Sequence, residues 1–400
     1  MGAHFPIRDR IVEELVAKTR VYCSFSDEAP SLQVPEKDVT LEELQGIPEA
    51  IRPQLTGSLM RKHCEHPSYP TLLSYYSEYM ASPTSKNGKM AYHRFRQGLD
   101  ILDLDYITYL MLEQNPNAMG YWLPKLVKAC KNQTFLKIPK TRTAKVPLPL
   151  LQLTRLDYGM LTAGTLDVVN RWAQKVFCLE PDGDYFIKTG TYSSKFDFRN
   201  AHVTTPKEVG ELGEYLLFIN NTAVQMAGPL TQPSIYGMST TNEWVVREYI
   251  KDVEGNPTIY KGLPLHTEFR VFVDCDHNQV LSIVPYWEPE TMKNRFTGQE
   301  DANSPHQVHD YIIYCAHEEI LMQRFYENCN RVTAAAADIL PFLDLGGQWS
   351  LDVMQNGDDF WIIDMATAES SAFYESVPEE LRNPKKEDWL PRLRGGKETQ

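Results

Sequence analysis

Three cations stand in stretches that are otherwise apolar. Lys188 ends the run DYFIK before the small-residue loop TGTYSSK, Arg247 interrupts WVVREYI, and Arg270 lies within HTEFRVFVD. Side chains alternate faces along a strand. In 266–273, Thr267, Phe269, Val271 and Val273 therefore make one apolar face, while Glu268 and Arg270 point together to the other. An unpaired buried charge is expensive. A polyphosphate satisfies all three cations at once, and the planar fork of arginine suits phosphate. The competing reading pairs each cation with a nearby carboxylate or leads it to solvent. Taken one at a time that reading wins; for the set together, an anion site is favoured.

The second feature is GQWSLDVMQNGDDFWIIDMA, which reads as a hairpin with Asp352 on one strand and Asp364 on the next. Two carboxylates on one face can hold a hard cation such as Mg²⁺. A three-residue loop at 357–359 pairs 352 with 364 and puts both on one face. The favoured Asn356-Gly357 two-residue turn pairs 355 with 358 and turns Asp364 away. Metal binding therefore requires the longer loop or a bulge. Two aspartates on a solvated hairpin face are the bland alternative, but Trp361, Ile362 and Ile363 around Asp364 read as a buried strand.

Other candidates are weaker. His63-Cys64-Glu65-His66 is too crowded for a metal cluster and reads as a surface turn. Tyr192, Ser193 and Ser194 lie in no Gly-x-Ser-x-Gly elbow, and neither a Walker loop nor Gly-x-Gly-x-x-Gly is present. The polar segment 289–308 reads as a loop-like insertion.

These residues need strands to aim them. DYFIKT, EWVVREYI, HTEFRVFVD, QVLSIVPYW, WSLDVMQ and FWIIDMA supply such strands, with helical stretches at 165–177, 206–226 and around 309–340. Strands in hairpin-like succession mixed with helices indicate an α+β fold. Upstream, 8–20, 40–55 and 90–131 read as helical, and the texture changes near 134, where a domain boundary is expected.

A length of 400 residues implies more than one core, and 42% apolar with 23% charged residues is a globular composition. The net charge of −13 argues against a general nucleic-acid binder. Seven cysteines without a CxxC pair fit free thiols in a reducing compartment. The start MGAHFPIRDR lacks a signal-peptide core, and no apolar run is long enough to span a bilayer. A cytoplasmic protein without membrane attachment is expected.

In order and spacing, Lys188 before its loop, VVREYI, EFRVFV, SLDV and IIDM resemble the ATP-grasp superfamily. The lysine and two arginines are similar to a clade defined by those residues. That clade includes the eukaryotic cell-division-cycle protein that assembles a translation initiation factor, and the order and spacing also resemble those of the ribosomal-protein glutamate ligases. The resemblance covers roughly 134–376. It implies an ATP-grasp fold, two α+β lobes sandwiching ATP (134–245 and 246–380, with a tail to 400), behind a helix-rich region at 1–133.

It further implies that Lys188 holds α/β-phosphate oxygens and that Glu248, Tyr249 and Ile250 form the hinge beside adenine. Glu268 would accept from ribose hydroxyls, Arg270 would meet the γ-phosphate, and Lys195 would close over the phosphates. Arg247 matches the clade's first arginine, and Asp352 and Asp364 would ligate Mg²⁺. The family's usual asparagine two residues beyond the second acid is Ala366 here, with Thr367 or Glu369 as substitutes. The activity implied is an ATP- and Mg²⁺-dependent ligation of a carboxylate to an amine through an acylphosphate, the substrates being small molecules, peptides or proteins. Many such ligases are homodimers. A non-catalytic ATP-binding assembly factor is the alternative. On this reading, Asp352→Asn removes Mg²⁺-dependent nucleotide binding with little loss of fold.

Overall fold

A computed structural model describes residues 6–26, 75, 78–94, 112, 115–153, 161–226, 241–297 and 304–383. The helix expected at 40–55 and the His63–His66 cluster lie outside them, as does most of 95–114.

Two five-stranded sheets carry the fold. In chain order the strands are β1 (Arg20–Cys23), β2 (Leu136–Lys137), β3 (Thr141–Lys145), β4 (Tyr185–Thr189), β5 (His202–Val203) and β6 (Glu243–Glu248). They continue as β7 (Thr258–Ile259), β8 (Leu263–Pro264), β9 (Glu268–Asp274), β10 (Gln279–Pro285), β11 (Gln348–Asn356) and β12 (Asp359–Thr367). The first sheet runs β1-β3-β6-β4-β5 and the second β10-β9-β11-β12-β2, with β7-β8 a separate ribbon. The β12–β2 pair is parallel; the other pairs are antiparallel. The framing helices are α1 (Pro6–Ala17), α2 (Met119–Ala129), α3 (Ala163–Phe177), α4 (Leu212–Met226), α5 (Pro289–Phe296) and α6 (Val308–Ile339). The fold is mixed α+β.

Each sheet buries one face under helices and keeps the other for the space between the sheets. On the first, Tyr185, Ile187, Trp244 and Val246 pack on Trp172, Val176 and Leu216 of α3 and α4. The alternate residues Lys188, Val245 and Arg247 face the other way, and Val245 joins the core of the second sheet. On that sheet Phe269, Val271, Val273, Leu351 and Val353 pack against α2 and α6. Parity then assigns Glu268, Arg270, Ser350 and Asp352 to the inter-sheet face.

Local signals explain the element ends. The Thr162 hydroxyl caps α3 by accepting from the Thr165 N–H, and Cys178 closes it in the left-handed region at φ 46°. Segment 289–308, expected as a loop, instead opens with α5. Glu288 accepts from the N–H groups of Glu290 and Thr291, and Pro289 pre-sets the first turn.

The first sheet and the core of the second cross the boundary expected at 134. β1 is an edge of the first sheet, and α2 lies in the core of the second. The expected lobe division at 245/246 falls inside β6. A short N-terminal strand carries little periodicity, so its long-range partner β3 leaves no trace in the sequence. No helix among the described residues is long and apolar enough to cross a membrane. The six described cysteines are free thiols.

Candidate functional site

The hairpin settles its own register. Asn356 pairs with Asp359, so the turn is Gly357-Asp358, one residue later than the Asn-Gly signal placed it. Gly357, at φ 64°, takes the first central position. A regular ladder from that turn would put residue 364 on the same face as Phe360 and Ile362, which pack into the core. Instead Val353 pairs with Ile362 and Asp352 with Asp364, leaving Ile363 as a bulge. The extra residue reverses the parity of β12: beyond it Met365 enters the core and Asp364 turns to the inter-sheet face.

The same bulge explains Arg247. Its Nη1 donates to the Ile363 carbonyl at 2.8 Å and its Nε to Thr141 Oγ1 at 3.3 Å. Arg247 therefore fastens the first sheet to the bulge that aims Asp364. Burial lowers its pKa to about 10, so it stays charged at neutral pH. The expected phosphate contact is replaced by a positioning contact, and Arg247 does not line the cleft.

Lys188 reaches across from β4, its Nζ 2.9 Å from Asp364 Oδ2. It is fully buried, and burial pulls its pKa down against the opposing pull of Asp364. Arg270 grips Asp352 with two parallel bonds, Nε to Oδ1 at 2.8 Å and Nη2 to Oδ2 at 2.6 Å. Burial pulls Arg270 down, but Asp352 outweighs it and holds the guanidinium above its ordinary value. Lys195 enters from the loop after β4. Its Nζ lies 4.3 Å from the ring centroid of Tyr286, and the Arg270 guanidinium lies 4.7 Å from that same centroid.

Lys195 and Glu268 attract each other. Burial, with Arg295 beside it, lowers Lys195 to about 8. Burial, with Asp352 adding repulsion, raises Glu268 to about 7, and Lys195 opposes that rise.

Lys195, Arg270, Asp352 and Asp364 thus share one cleft, joined by Asn117, Tyr286 and Arg295. Its cavity is about 140 Å³, room for about five waters at ~30 Å³ each. That is too small for a whole nucleotide. The expected hinge is partly committed. The Glu248 N–H donates to the Lys140 carbonyl at 2.9 Å and the Tyr249 N–H to the Asp184 carbonyl at 3.0 Å. The Glu248 side chain pairs with Lys140 at 3.2 Å. Tyr249 stacks on His202 with centroids 3.8 Å apart. Neither amide is free for a ligand.

Sequence reasoning missed Asn117, Tyr286 and Arg295, because each comes from a segment without a motif. It also missed Asp252, Glu254 and His266, whose ligand atoms lie within 4.8 Å of one another. That group has internal partners: Arg324 pairs with Glu254 at 3.1 Å, and Asn256 Nδ2 donates to Asp252 at 3.0 Å. It is a hydrogen-bonded network joining 252–256 to α6, with one arginine set against two carboxylates. Of the expected substitutes at Ala366, the Thr367 hydroxyl is bonded to Ser370 at 3.0 Å.

No protein-family model matches the chain, and no curated protein is similar to it. Among solved structures it is similar to Cdc123 from Schizosaccharomyces pombe, at TM-score 0.38 and 15% identity, covering 69% of this chain and 96% of that one. C-terminally truncated Cdc123 from the same organism gives TM-score 0.37, 15% identity and coverages of 69% and 95%. A likeness at that score carries no argument, so the functional reading rests on the cleft.

Proposed function

We propose that the inter-sheet cleft binds ATP with Mg²⁺ and that the protein works as an ATP-binding assembly factor. One observation carries the reading: two cation–carboxylate pairs, Lys188–Asp364 and Arg270–Asp352, meet at one place, where Arg270, Asp352 and Asp364 line the cleft and Lys188 is buried behind Asp364. Such pairs are weak devices for stability alone. They suit a site where phosphates take over the cations and a metal takes over the carboxylates.

The donor set fits magnesium. Directly paired strand residues hold their side chains within about 5 Å, and both carboxylates are hard oxygen donors. Each oxygen keeps a lone pair beyond its present bond. Asp352 and Asp364 would hold the metal, which when bound neutralises phosphate charge. Lys188 and Arg270 hold and orient the phosphates, Lys195 closes over them, and Glu268 faces the ribose.

Ala366 favours binding over turnover, since it brings no third ligand from the hairpin. Carboxylate–amine ligation is the second reading, favoured by Arg295, a further cation in the cleft that suits a substrate carboxylate. Calorimetry on the full chain tests the first reading: binding with ATP and Mg²⁺, lost when the metal is chelated. No heat under either condition removes it. ADP release that depends on an added amine would establish the ligase instead.

The Lys195 value predicts a pH effect. Lys195 loses its proton as pH rises through about 8, and a neutral amine no longer attracts phosphate. ATP affinity should therefore fall several-fold between pH 7 and 9. Lys195→Gln should bind more weakly at pH 7 and show a flat profile, and a slope that survives in this variant assigns it to another group. Glu268 works on stability with the opposite-sign rule for a raised acid. Its folded value near 7 exceeds its ordinary 4.5, so its contribution is present below 4.5 and lost as pH rises through 7.

A further inference from the structure

We propose that Asn117 is an anion-binding residue of this cleft, its carboxamide NH2 donating to an oxygen of the phosphate chain. The inference rests on the nucleotide reading above and adds a residue from a region that neither motif nor resemblance reaches.

Asn117 is buried and lines the cleft with Arg270, Asp364 and Ala366. The Thr367 backbone N–H donates to its Oδ1 at 2.7 Å. An N–H must meet an oxygen, so this bond fixes which way the amide is flipped. The opposite end of the carboxamide is then a pair of N–H donors left for the cleft.

The placement is rigid. The Asn117 N–H donates to Asn115 Oδ1 at 3.0 Å, and the Ala118 N–H to the Asn115 carbonyl at 3.0 Å. Next, Met119 N–H donates to the Gly190 carbonyl at 3.1 Å, and Gly120 N–H to Glu243 Oε2 at 2.8 Å. The segment is tied to the first sheet by Gly190 and Glu243 and to the second by Thr367. A preorganised neutral donor held between two walls stabilises an oxyanion without its own reorganisation. It stands beside Ala366, where the hairpin brings no polar side chain.

Asn117→Asp separates this role from a structural one. Its carboxylate still accepts from the Thr367 N–H, but it offers no donor and repels phosphate. The proposal expects wild-type melting and at least a tenfold loss of ATP–Mg²⁺ affinity by calorimetry on the full chain. Asn117→Ser, which removes the NH2 without adding charge, should also bind more weakly. Affinity within twofold of wild type in either variant, with melting retained, overturns the role of Asn117 and leaves the nucleotide site standing. Absence of ATP binding by the wild type removes the nucleotide reading itself, and this inference falls with it.

Discussion

Lys188→Met is expected to abolish nucleotide binding while leaving the fold at least as stable. Lys188 is 1% exposed at its side chain, and its partner Asp364 is 34% exposed. The lysine therefore bears most of the desolvation, and burial drives its pKa down despite the ion pair. Methionine has a similar length and no charge to desolvate, and Asp364 keeps water as a partner. The melting temperature should hold or rise, since a single buried ion pair rarely outperforms apolar packing. ATP affinity should fall at least 100-fold, about 2.7 kcal/mol, because the cation aimed at the phosphates is gone. Scanning calorimetry and ligand titration check the two halves separately. A variant that melts far below wild type shows that Lys188 serves folding rather than a ligand.

Asp352→Asn is expected to do the reverse and damage the fold as well as the site. The sequence alone suggested a clean metal-ligand knockout. The bidentate grip of Arg270 changes that, because both side chains are only 11% exposed. Removing one charge strands the other in a dry place, which costs about 3 kcal/mol. Denaturant unfolding should report that loss, with Mg²⁺-dependent ATP binding lost in parallel. Replacing both partners, Arg270→Met with Asp352→Leu, should restore much of the stability and none of the binding. A double-mutant cycle then separates the pair from the ligand. Unchanged unfolding in Asp352→Asn would show the pair to be solvated in solution.

Much of this site was legible as parity. The alternation in 266–273 sorted Phe269, Val271 and Val273 from Glu268 and Arg270, and the two sets do occupy opposite faces. A two-state periodicity survives because core packing penalises every slip of register. The hairpin was legible only as a conflict between its turn signal and its aspartates. The turn moved by one residue and Ile363 bulged, with the Arg247 guanidinium satisfying the bulge carbonyl. That bond joins residues over a hundred positions apart in the chain, so no local pattern announces it.

Arg247 shows the limit of reading a residue by its charge. A buried arginine needs several acceptors, and a backbone carbonyl satisfies it as well as phosphate does. Asn117 and Arg295 show a second limit. Their place in the cleft follows from α2 and α5 packing, and neither helix carries a charge pattern that marks the site. Segment 289–308 was read as loop from its polarity, yet Glu288 and Pro289 start a helix there. A cap was present in the sequence, but glutamate is an uncommon capping residue.

The central claim is that Asp352 and Asp364 hold one divalent ion between them while Lys188 and Arg270 hold phosphates. A crystal structure of the full chain with Mn²⁺ and a non-hydrolysable ATP analogue addresses it through the anomalous signal of the metal. The account predicts one peak within coordination distance of both carboxylates, with phosphate oxygens beside Lys188 and Arg270. A peak at Asp252, Glu254 and His266, or nucleotide bound outside the cleft, would contradict it.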